Sequence, residues 1–140
     1  MRLLLLHVDY IDYAVTKATK YAEAVDDSSR QGRMEEALVV FAAAERSDEE
    51  AIDAVAQDAA DVIRDVATKV ATDKVVLYPY AHLSSDLASA ENAVEIMKKI
   101  ERLLGGFDVL RAPFGWYKSF SLKCKGHPLS ELSRTITPVK

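Results

Sequence analysis

Cysteine is nearly absent from this chain of 140 residues, which contains only Cys124. One cysteine cannot form an internal disulfide, and a chain of this length buries roughly two thirds of its unfolded surface without one. No apolar run approaches the roughly 20 residues of a membrane span, and residues 3–6 are too few for the apolar region of a signal peptide, typically about 7–15 residues. We therefore expect a single domain over residues 1–140, located in the cytoplasm and without a membrane partner.

The motifs of several well-known active sites are also missing. The sequence contains no phosphate loop, no dinucleotide-binding glycine pattern, no Gly-x-Ser-x-Gly elbow and no His-Glu-x-x-His pair. Cys124 and His127 have a spacing found in zinc sites, but a tetrahedral site needs two more ligands and only His7 and His82 remain among the histidines. We therefore predict neither a metal nor an organic cofactor.

Acidic residues are scarce near the end of the chain, where the last 43 residues hold three of them against nine basic ones. The first 97 residues hold 19 acidic and nine basic side chains, so the two parts have formal charges of −10 and +6. Aromatic residues lie among these final lysines and arginines, including Phe114, Trp116, Tyr117 and Phe120. This mixture indicates either a nucleic-acid surface, with bases stacked on the rings, or a solvated strand above core aromatics.

Apolar patterning predicts more strands than helices. The strands are expected at residues 3–8, 10–15, 37–44, 74–79, 107–112 and 117–123. The alanines of residues 37–44 leave a helix as the alternative there. Residues 17–33 have no sustained apolar period and predict a loop, and residues 113–116 have the chemistry of a hairpin turn between the last two strands.

Two helices are predicted between these strands. Ser47 and Glu50 have the spacing of a capping box, and apolar residues follow at three- and four-residue steps to about Ala71. The second helix covers residues 91–104 and ends at a pair of glycines, and residues 124–134 indicate a turn that leads into a short helical piece. The predicted fold is therefore α+β (mixed α/β), a mixed β-sheet with an antiparallel hairpin, packed by two helices.

Two segments carry side chains that a structural role does not fully explain. A buried strand ends at Pro79 and delivers His82 to one edge of the sheet, where α/β folds usually bind ligands. His82 is either a general base or substrate-holding residue, or a histidine with a purely structural role. Lys118 lies among four aromatic residues, which either hold its amine toward a pocket or leave it exposed to solvent.

Three long motifs together closely resemble the N-terminal editing domain of archaeal threonyl-tRNA synthetase. They are residues 78–85 (YPYAHLSS), 112–118 (APFGWYK) and 124–134 (CKGHPLSELSR). Residues 5–10 and 32–39 also match, so the resemblance extends from Arg2 to about Thr137. It implies a fold similar to D-aminoacyl-tRNA deacylases, a homodimer, and hydrolysis of serine that has been attached to tRNA(Thr) in error.

The same resemblance implies a set of site residues. The positions of the family's important editing side chains are occupied by Lys118, His82, Tyr117 and Glu131. The positions that hold the seryl group and the terminal adenosine are occupied by Ala44, Tyr80, Ala81 and Phe114. Residues 42–44 are all alanine and smaller than the β-branched residues expected there, which changes the expected volume of the pocket.

A physical need supports an editing function. Serine differs from threonine by one methyl group, which gives a binding site only about 1–3 kcal/mol of discrimination, so accurate translation requires a second, hydrolytic site. The ester is already activated, so Lys118 and backbone N–H groups suffice to stabilise the oxyanion without a nucleophilic serine or cysteine. The resemblance adds assistance by the 2′-hydroxyl of the terminal adenosine.

Two alternatives remain open at the level of sequence. One is a free-standing D-aminoacyl-tRNA deacylase, and the other is a non-catalytic module for tRNA binding or dimerisation. The partners expected for the editing function are the 3′ end of tRNA(Thr) carrying serine and a second copy of the chain. If the sequence is one domain of a synthetase, the rest of that synthetase is a third partner.

Overall fold

A computed structural model describes residues 1–138 and places eight regular elements among them. Their bounds are β1 Arg2–Ala18, β2 Gln31–Ala43, α1 Ile52–Lys69, β3 Lys74–Pro79, α2 Ala90–Leu103, β4 Asp108–Arg111, β5 Trp116–Cys124 and β6 Glu131–Thr135. Short 3-10 turns are formed by Asp27–Ser29, Arg46–Glu50 and Ala81–Leu83. The predicted α+β (mixed α/β) class is confirmed. None of the helices in the described part of the chain is long and apolar enough to span a membrane.

The six strands form one mixed sheet in the order β4-β3-β2-β1-β5, with β6 also paired to β1. The two pairs whose strands are joined through helices, β2 with β3 and β3 with β4, are parallel, as the sequence predicts. β1 is antiparallel to all three of its neighbours. Its first residues pair with β6, and its remaining residues pair with β5 on the same side.

Both helices pack on one face of the sheet. The inward side of α1 is fully buried at Val55, Ala59 and Ile63, and that of α2 at Ile96 and Ile100. These residues recur at three- and four-residue steps, which places them on one stripe of each helix. The apolar core of the domain therefore lies between this helical layer and the sheet.

The opposite face of the sheet is buried by the sheet itself. Leu4 of β1, Phe41 of β2 and Tyr78 of β3 are paired in register across the sheet. Tyr13 lies nine residues further along β1 than Leu4. In a flat sheet this offset corresponds to about 30 Å, yet the ring centroids of Tyr13 and Tyr78 are 5.8 Å apart. The far ends of β1, β2 and β5 therefore curl back over β3, and we call this part the folded-back arm.

Two features of the arm allow this curvature. The pairing of β1 with β5 shifts register between Val8 and Tyr10 and again between Val15 and Lys17, and such bulges bend and twist strands. The ring of Tyr13 lies over Gly32, where an added Cβ would meet the ring at 2.5 Å. A glycine within a strand thus permits this close approach.

Two expectations about the first strands need correction. Residues 3–8 and 10–15 are not separate strands but parts of β1, because the bulge at Asp9 interrupts the alternation without ending the strand. The loop predicted for residues 17–33 is shorter than expected, since β1 continues to Ala18 and β2 begins at Gln31. The first residues of β2 alternate between half-buried and exposed, so they show no apolar pattern in the sequence.

The hairpin predicted between residues 107–112 and 117–123 is wrong. β4 pairs with β3 at one edge of the sheet, whereas β5 pairs with β1 near the other edge. The turn at residues 113–116 does form, but its carbonyl groups are paired with the segment that follows β1. Gly115 accepts a hydrogen bond from the N–H of Thr19, and Phe114 accepts one from the N–H of Glu23. The chain therefore turns at the predicted place but pairs with a different segment.

The predicted start of the first helix and the short helical piece are also wrong. Ser47 lies within a 3-10 turn whose capping box is formed by Glu45 and Asp48, and α1 itself begins at Ile52. The piece expected to be helical near residue 131 is β6, because Leu132 pairs with Leu5 and packs against the core beneath the helices. Glu131 and Arg134 are three apart in a strand, so they point to opposite faces and form no pair.

Candidate functional site

A cleft of about 780 Å³ opens between the folded-back arm and the carboxyl end of β3. Three segments supply most of its lining: residues 79–82 after β3, residues 19–21 after β1, and residues 114–118 at the start of β5. The segment that leads into α2, residues 87–90, closes the fourth side. The cleft thus lies beyond the end of a parallel strand, which is the usual ligand position in sheets of this kind.

Lys118 lines this cleft because the arm, which carries it, folds back over β3. Its Nζ is 5.0 Å from the ring centroid of Tyr78 and donates a hydrogen bond of 3.2 Å to the backbone oxygen of Trp116. Burial lowers the pKa of Lys118 to about 8, and the nearby carboxylate of Glu23 acts in the opposite direction. An amine with this pKa is charged at neutral pH and incompletely hydrated, which suits it to stabilise a developing negative charge.

His82 and Tyr117 line the same cleft and are accessible to a ligand. His82 is exposed on the 3-10 turn after β3, with its ring edge against Tyr80 at a centroid distance of 5.2 Å. The side chain of Tyr117 is 62% exposed. Neither side chain forms a hydrogen bond with another residue of the described chain, so both can bind substrate groups or water.

The main chain offers donors at the same place. The N–H groups of Ala81 and His82 open the 3-10 turn and have no acceptor among residues 1–138. The first N–H groups of any helical turn lack intrahelical partners. Tyr80, by contrast, donates its N–H to the carbonyl of Ala42 across the strand ends.

A small compartment of about 40 Å³ adjoins the cleft. All four residues that the sequence assigns to substrate binding line it: Ala44, Tyr80, Ala81 and Phe114. Its floor comes from Ala93 and Met97 of α2. Because one water molecule occupies about 30 Å³ of liquid, the compartment admits a group of one or two heavy atoms.

A half-buried ion pair connects the segments around the cleft. The carboxylate of Glu23 accepts two hydrogen bonds from Arg111, at 2.6 and 3.1 Å, and a third from the N–H of Phe114 at 2.7 Å. The backbone oxygen of Glu23 accepts one from the indole N–H of Trp116 at 2.8 Å. Burial raises the pKa of Glu23, but the hydrogen bonds from Arg111 and Phe114 outweigh it and hold that pKa below its ordinary value. We call this set of contacts the Glu23 clamp.

Gly115 is required where the clamped segments touch. Its φ is +83°, and an added Cβ would lie 2.5 Å from the backbone oxygen of Tyr21. Both the left-handed conformation and the lack of space exclude other residues. Sequence reasoning gives no role in the site to Glu23 and Arg111 of the clamp, to Met97 of the small compartment, or to residues 19–21 of the cleft. These residues belong to no motif, and only long-range folding brings them to their places.

Glu131 is the one predicted site residue that lines neither the cleft nor the small compartment. It is exposed on β6, and β1 and β2 lie between that strand and β3. The histidine–cysteine motif is also elsewhere: Nε2 of His127 is 2.7 Å from Nδ1 of His7, and the thiol of Cys124 contacts the backbone oxygen of Ser130 at 3.4 Å. No group of three or more potential metal ligands is assembled within residues 1–138.

Comparison with known proteins identifies the family. A model of the archaea-specific editing domain of threonyl-tRNA synthetase matches residues 1–136. The threonine–tRNA ligases of Methanothrix thermoacetophila, Methanoculleus marisnigri and Thermococcus kodakarensis are 53%, 55% and 49% identical over 137, 141 and 143 residues. These alignments cover 97–100% of the chain and 22–23% of the relatives, so the chain spans a little over a fifth of their length. The chain therefore belongs to the archaea-specific family of threonyl-tRNA synthetase editing domains.

Proposed function

We propose that this domain hydrolyses the ester that joins serine to the 3′ end of tRNA(Thr). The observation that carries the proposal is the position of the compartment of about 40 Å³ beside the cleft that holds Lys118. The hydroxymethyl group of serine fits a space of this size, and the larger cleft has room for the terminal adenosine. With the substrate in this position, we expect the ester carbonyl to face Lys118.

In the proposed reaction a water molecule adds to the ester carbonyl carbon. The carbonyl oxygen becomes an oxyanion, which the ammonium of Lys118 and the free N–H groups of Ala81 and His82 stabilise. The bond from carbon to the ribose 3′-oxygen then breaks, that oxygen takes up the proton lost by the water, and free serine and intact tRNA leave. The 2′-hydroxyl of the adenosine assists, while the side chains of His82 and Tyr117 orient the ribose or the water.

The setting of the reaction is part of the proposal. We expect the domain to act within a longer threonyl-tRNA synthetase, in the cytoplasm and as a homodimer. The lengths of the curated ligases support the first point, since each is between four and five times as long as the matched segment. For Glu131 we propose no catalytic step within one chain, because it lies on a different strand from the cleft.

The substrate test compares three esters. Purified wild-type protein is mixed with Ser-tRNA(Thr), Thr-tRNA(Thr) and a D-aminoacyl-tRNA, and ester loss is followed under single-turnover conditions. We expect rapid loss of serine and much slower loss of threonine, whose additional methyl group overfills the compartment. Faster hydrolysis of the D-aminoacyl ester identifies a D-aminoacyl-tRNA deacylase instead, and uncatalysed rates for all three identify a non-catalytic module.

The catalytic role of Lys118 is tested on the same assay. Lys118→Met keeps the aliphatic stem and removes the charge, so the fold should persist and the rate for Ser-tRNA(Thr) should fall about 100-fold or more, as for loss of one oxyanion donor. Lys123→Met is the matched control, because Lys123 lies on the same strand but is 71% exposed and near Asp9. Equal rates for wild type and Lys118→Met exclude the proposed role.

A further inference from the structure

A second groove begins at the mouth of the cleft and runs along α2. Its volume is about 620 Å³, and it shares Lys20, Tyr21 and Ala90 with the lining of the cleft. Most of its remaining lining belongs to one face of α2, including Lys98 and Arg102. A ligand that fills the cleft and extends beyond it on this side therefore enters the groove.

Three cations of this groove are available to a ligand. Lys20, Lys98 and Arg102 are exposed, and none of them forms an ion pair within the part of the chain that the structure describes. Lys99, the neighbour of Lys98 in sequence, instead pairs with Asp53 at 2.9 Å. The positive charges of Lys98 and Arg102 are therefore available on the groove side of α2, whereas the charge of Lys99 is neutralised by Asp53.

The charge also changes along the groove. Its two carboxylates, Glu91 and Glu95, belong to the first half of α2, near the mouth. Lys98 and Arg102 follow in the second half, one helical turn apart. Positive charge therefore grows with distance from the cleft, as expected for the binding of a polyanion that leaves it.

An exposed aromatic ring stands where groove and cleft meet. Tyr21 is 57% exposed, and Nζ of Lys20 lies 5.1 Å from the centroid of its ring. The backbone beside the ring is fixed, because both the N–H and the hydroxyl of Thr19 donate to the carbonyl of Gly115. An exposed ring beside a lysine, on a segment whose backbone is held in place, is an arrangement on which an unpaired base can stack.

We propose that this groove binds the unpaired nucleotides that precede the terminal adenosine of the substrate RNA, with one base on Tyr21 and phosphates on Lys98 and Arg102. The proposal rests on the proposed function, which places the terminal adenosine in the cleft. Lys98 lies about 12 Å along the helix axis from Ala90, and Arg102 about 6 Å further. An extended single strand that leaves the cleft can reach both with successive phosphates.

The test uses two probes that cannot be hydrolysed. In both, serine is joined by an amide to 3′-amino-3′-deoxyadenosine, which is either free or the last nucleotide of a CCA trinucleotide. Wild type should bind the trinucleotide about tenfold more tightly, the size of effect that stacking of one base provides. Tyr21→Ala should remove most of this difference, and Tyr21→Phe should retain it.

The proposed phosphate contacts are tested by the salt dependence of trinucleotide binding. The double variant Lys98→Ala/Arg102→Ala should bind the free nucleotide as wild type does, because neither residue lines the cleft. For the trinucleotide, the slope of log affinity against log salt should become shallower by about 0.7 for each phosphate that is no longer neutralised. Arg134→Ala is the control, since Arg134 is exposed on β6 and has no ion-pair partner in residues 1–138.

The outcomes separate this proposal from the proposed function. If wild type binds both probes equally, or if Arg134→Ala weakens trinucleotide binding as much as the double variant, the groove is not the RNA path. If the free nucleotide fails to bind and Ser-tRNA(Thr) is not hydrolysed, both proposals are overturned. Selective loss of trinucleotide affinity in the double variant Lys98→Ala/Arg102→Ala, with hydrolysis of short esters retained, supports the groove alone.

Discussion

Lys118 holds its charge at a position where burial lowers its pKa to about 8, against an ordinary value of 10.5. Between pH 8 and pH 10.5 the unfolded chain binds more protons at this site than the native protein does, so this lysine makes stability rise with pH across that window. Below pH 8 both states carry the charge, and the cost of its burial is constant. Thermal melts of wild type and Lys118→Met between pH 7 and pH 10 should therefore converge as pH rises. Parallel curves would contradict the lowered pKa.

The same titration predicts the pH dependence of catalysis. If the charged amine stabilises the oxyanion, the single-turnover rate for Ser-tRNA(Thr), corrected for spontaneous ester loss, should fall as pH rises through about 8. The melts described above provide an independent value for the same group. A corrected rate that still rises above pH 8 would point to a neutral amine acting as a base.

A substitution at His82 tests its proposed catalytic role separately from its contribution to stability. Its side chain is exposed on a short turn and fills no core position, so His82→Ala should leave the melting temperature nearly unchanged. If the ring orients the ribose or the attacking water, the rate should nevertheless fall, with general acid–base or positioning effects of about 100-fold. Melting temperature and single-turnover rate are measured on the same preparation. A large loss of stability with a normal rate per folded molecule would make His82 a scaffold residue.

At the scale of elements, the Glu23 clamp joins the segment after β1 to the turn before β5. Glu23→Gln keeps the shape and removes the charge from a pair whose side chains are only 17% and 15% exposed, which should cost about 1.5–3 kcal/mol of stability. Because Phe114 and Trp116 are held by the clamp, the rate should fall as well. The pKa of Lys118 should move further below 8, since the opposing carboxylate is gone. Denaturant unfolding and the pH dependence of the rate measure the two effects.

A matched variant controls for charge on the same loop. Asp27→Asn also removes a carboxylate between β1 and β2, but Asp27 is fully exposed and pairs only with Arg30. It should leave stability and the pH dependence of the rate as in wild type. If it shifts the pH profile as Glu23→Gln does, the effect is one of general charge and not of the clamp.

The elements also show which parts of the fold a sequence can predict. The predictions for β3 and α2 are correct to within one residue at their ends, because periodicity and flanking turn residues are local properties. The pairing of β5 with β1 escapes prediction, because which strands pair is decided by contacts across most of the chain. The helical prediction for β6 is wrong because the residues before it resemble a turn, and a strand of five residues is too short to show a clear apolar alternation.

The residues of the candidate site also differ in whether a local pattern in the sequence could predict them. Motif resemblance locates Lys118, His82 and Tyr117, and the structure brings these three into one cleft, while their chemical roles stay predictions. Glu131 comes from the same resemblance but lies apart. Arg111 and Met97 have no local signal, since an arginine at a strand end and a methionine on the apolar stripe of a helix fit ordinary structural roles equally well.

For the whole molecule, the separation of charge along the sequence disappears in three dimensions. Lys125 from the basic part contacts Asp9 and Glu36 from the acidic part, each at 2.6 Å. Arg111 and Lys99 are likewise paired with acidic residues far away in sequence. The basic terminal portion is therefore not a single basic surface. Lys98 and Arg102 on α2 form no ion pair within residues 1–138, so they still fit the nucleic-acid surface that the sequence indicates.

The amino group of Met1 contacts both a buried carboxylate and a residue near the other end of the described chain. Asp48 is fully buried and accepts hydrogen bonds from the amino group of Met1 at 2.8 Å and from the N–H of Glu45 at 2.7 Å. The same amino group donates to the backbone oxygen of Ile136 at 2.8 Å. Asp48→Asn leaves a buried ammonium without its closest counter-ion and should destabilise the domain by about 3–5 kcal/mol in denaturant unfolding. A midpoint equal to that of Asp86→Asn, an exposed carboxylate, would refute this.

The alanine walls of the small compartment have a consequence for the thermodynamics of ligand binding. Seven of its eleven lining residues are alanine or proline, whose side chains have no rotamers to lose. Filling the compartment therefore restricts side-chain rotamers at no more than four of its lining residues, so most of the entropy penalty falls on the ligand. Calorimetry on the seryl probe should accordingly show a negative heat-capacity change from apolar burial with little opposing conformational entropy.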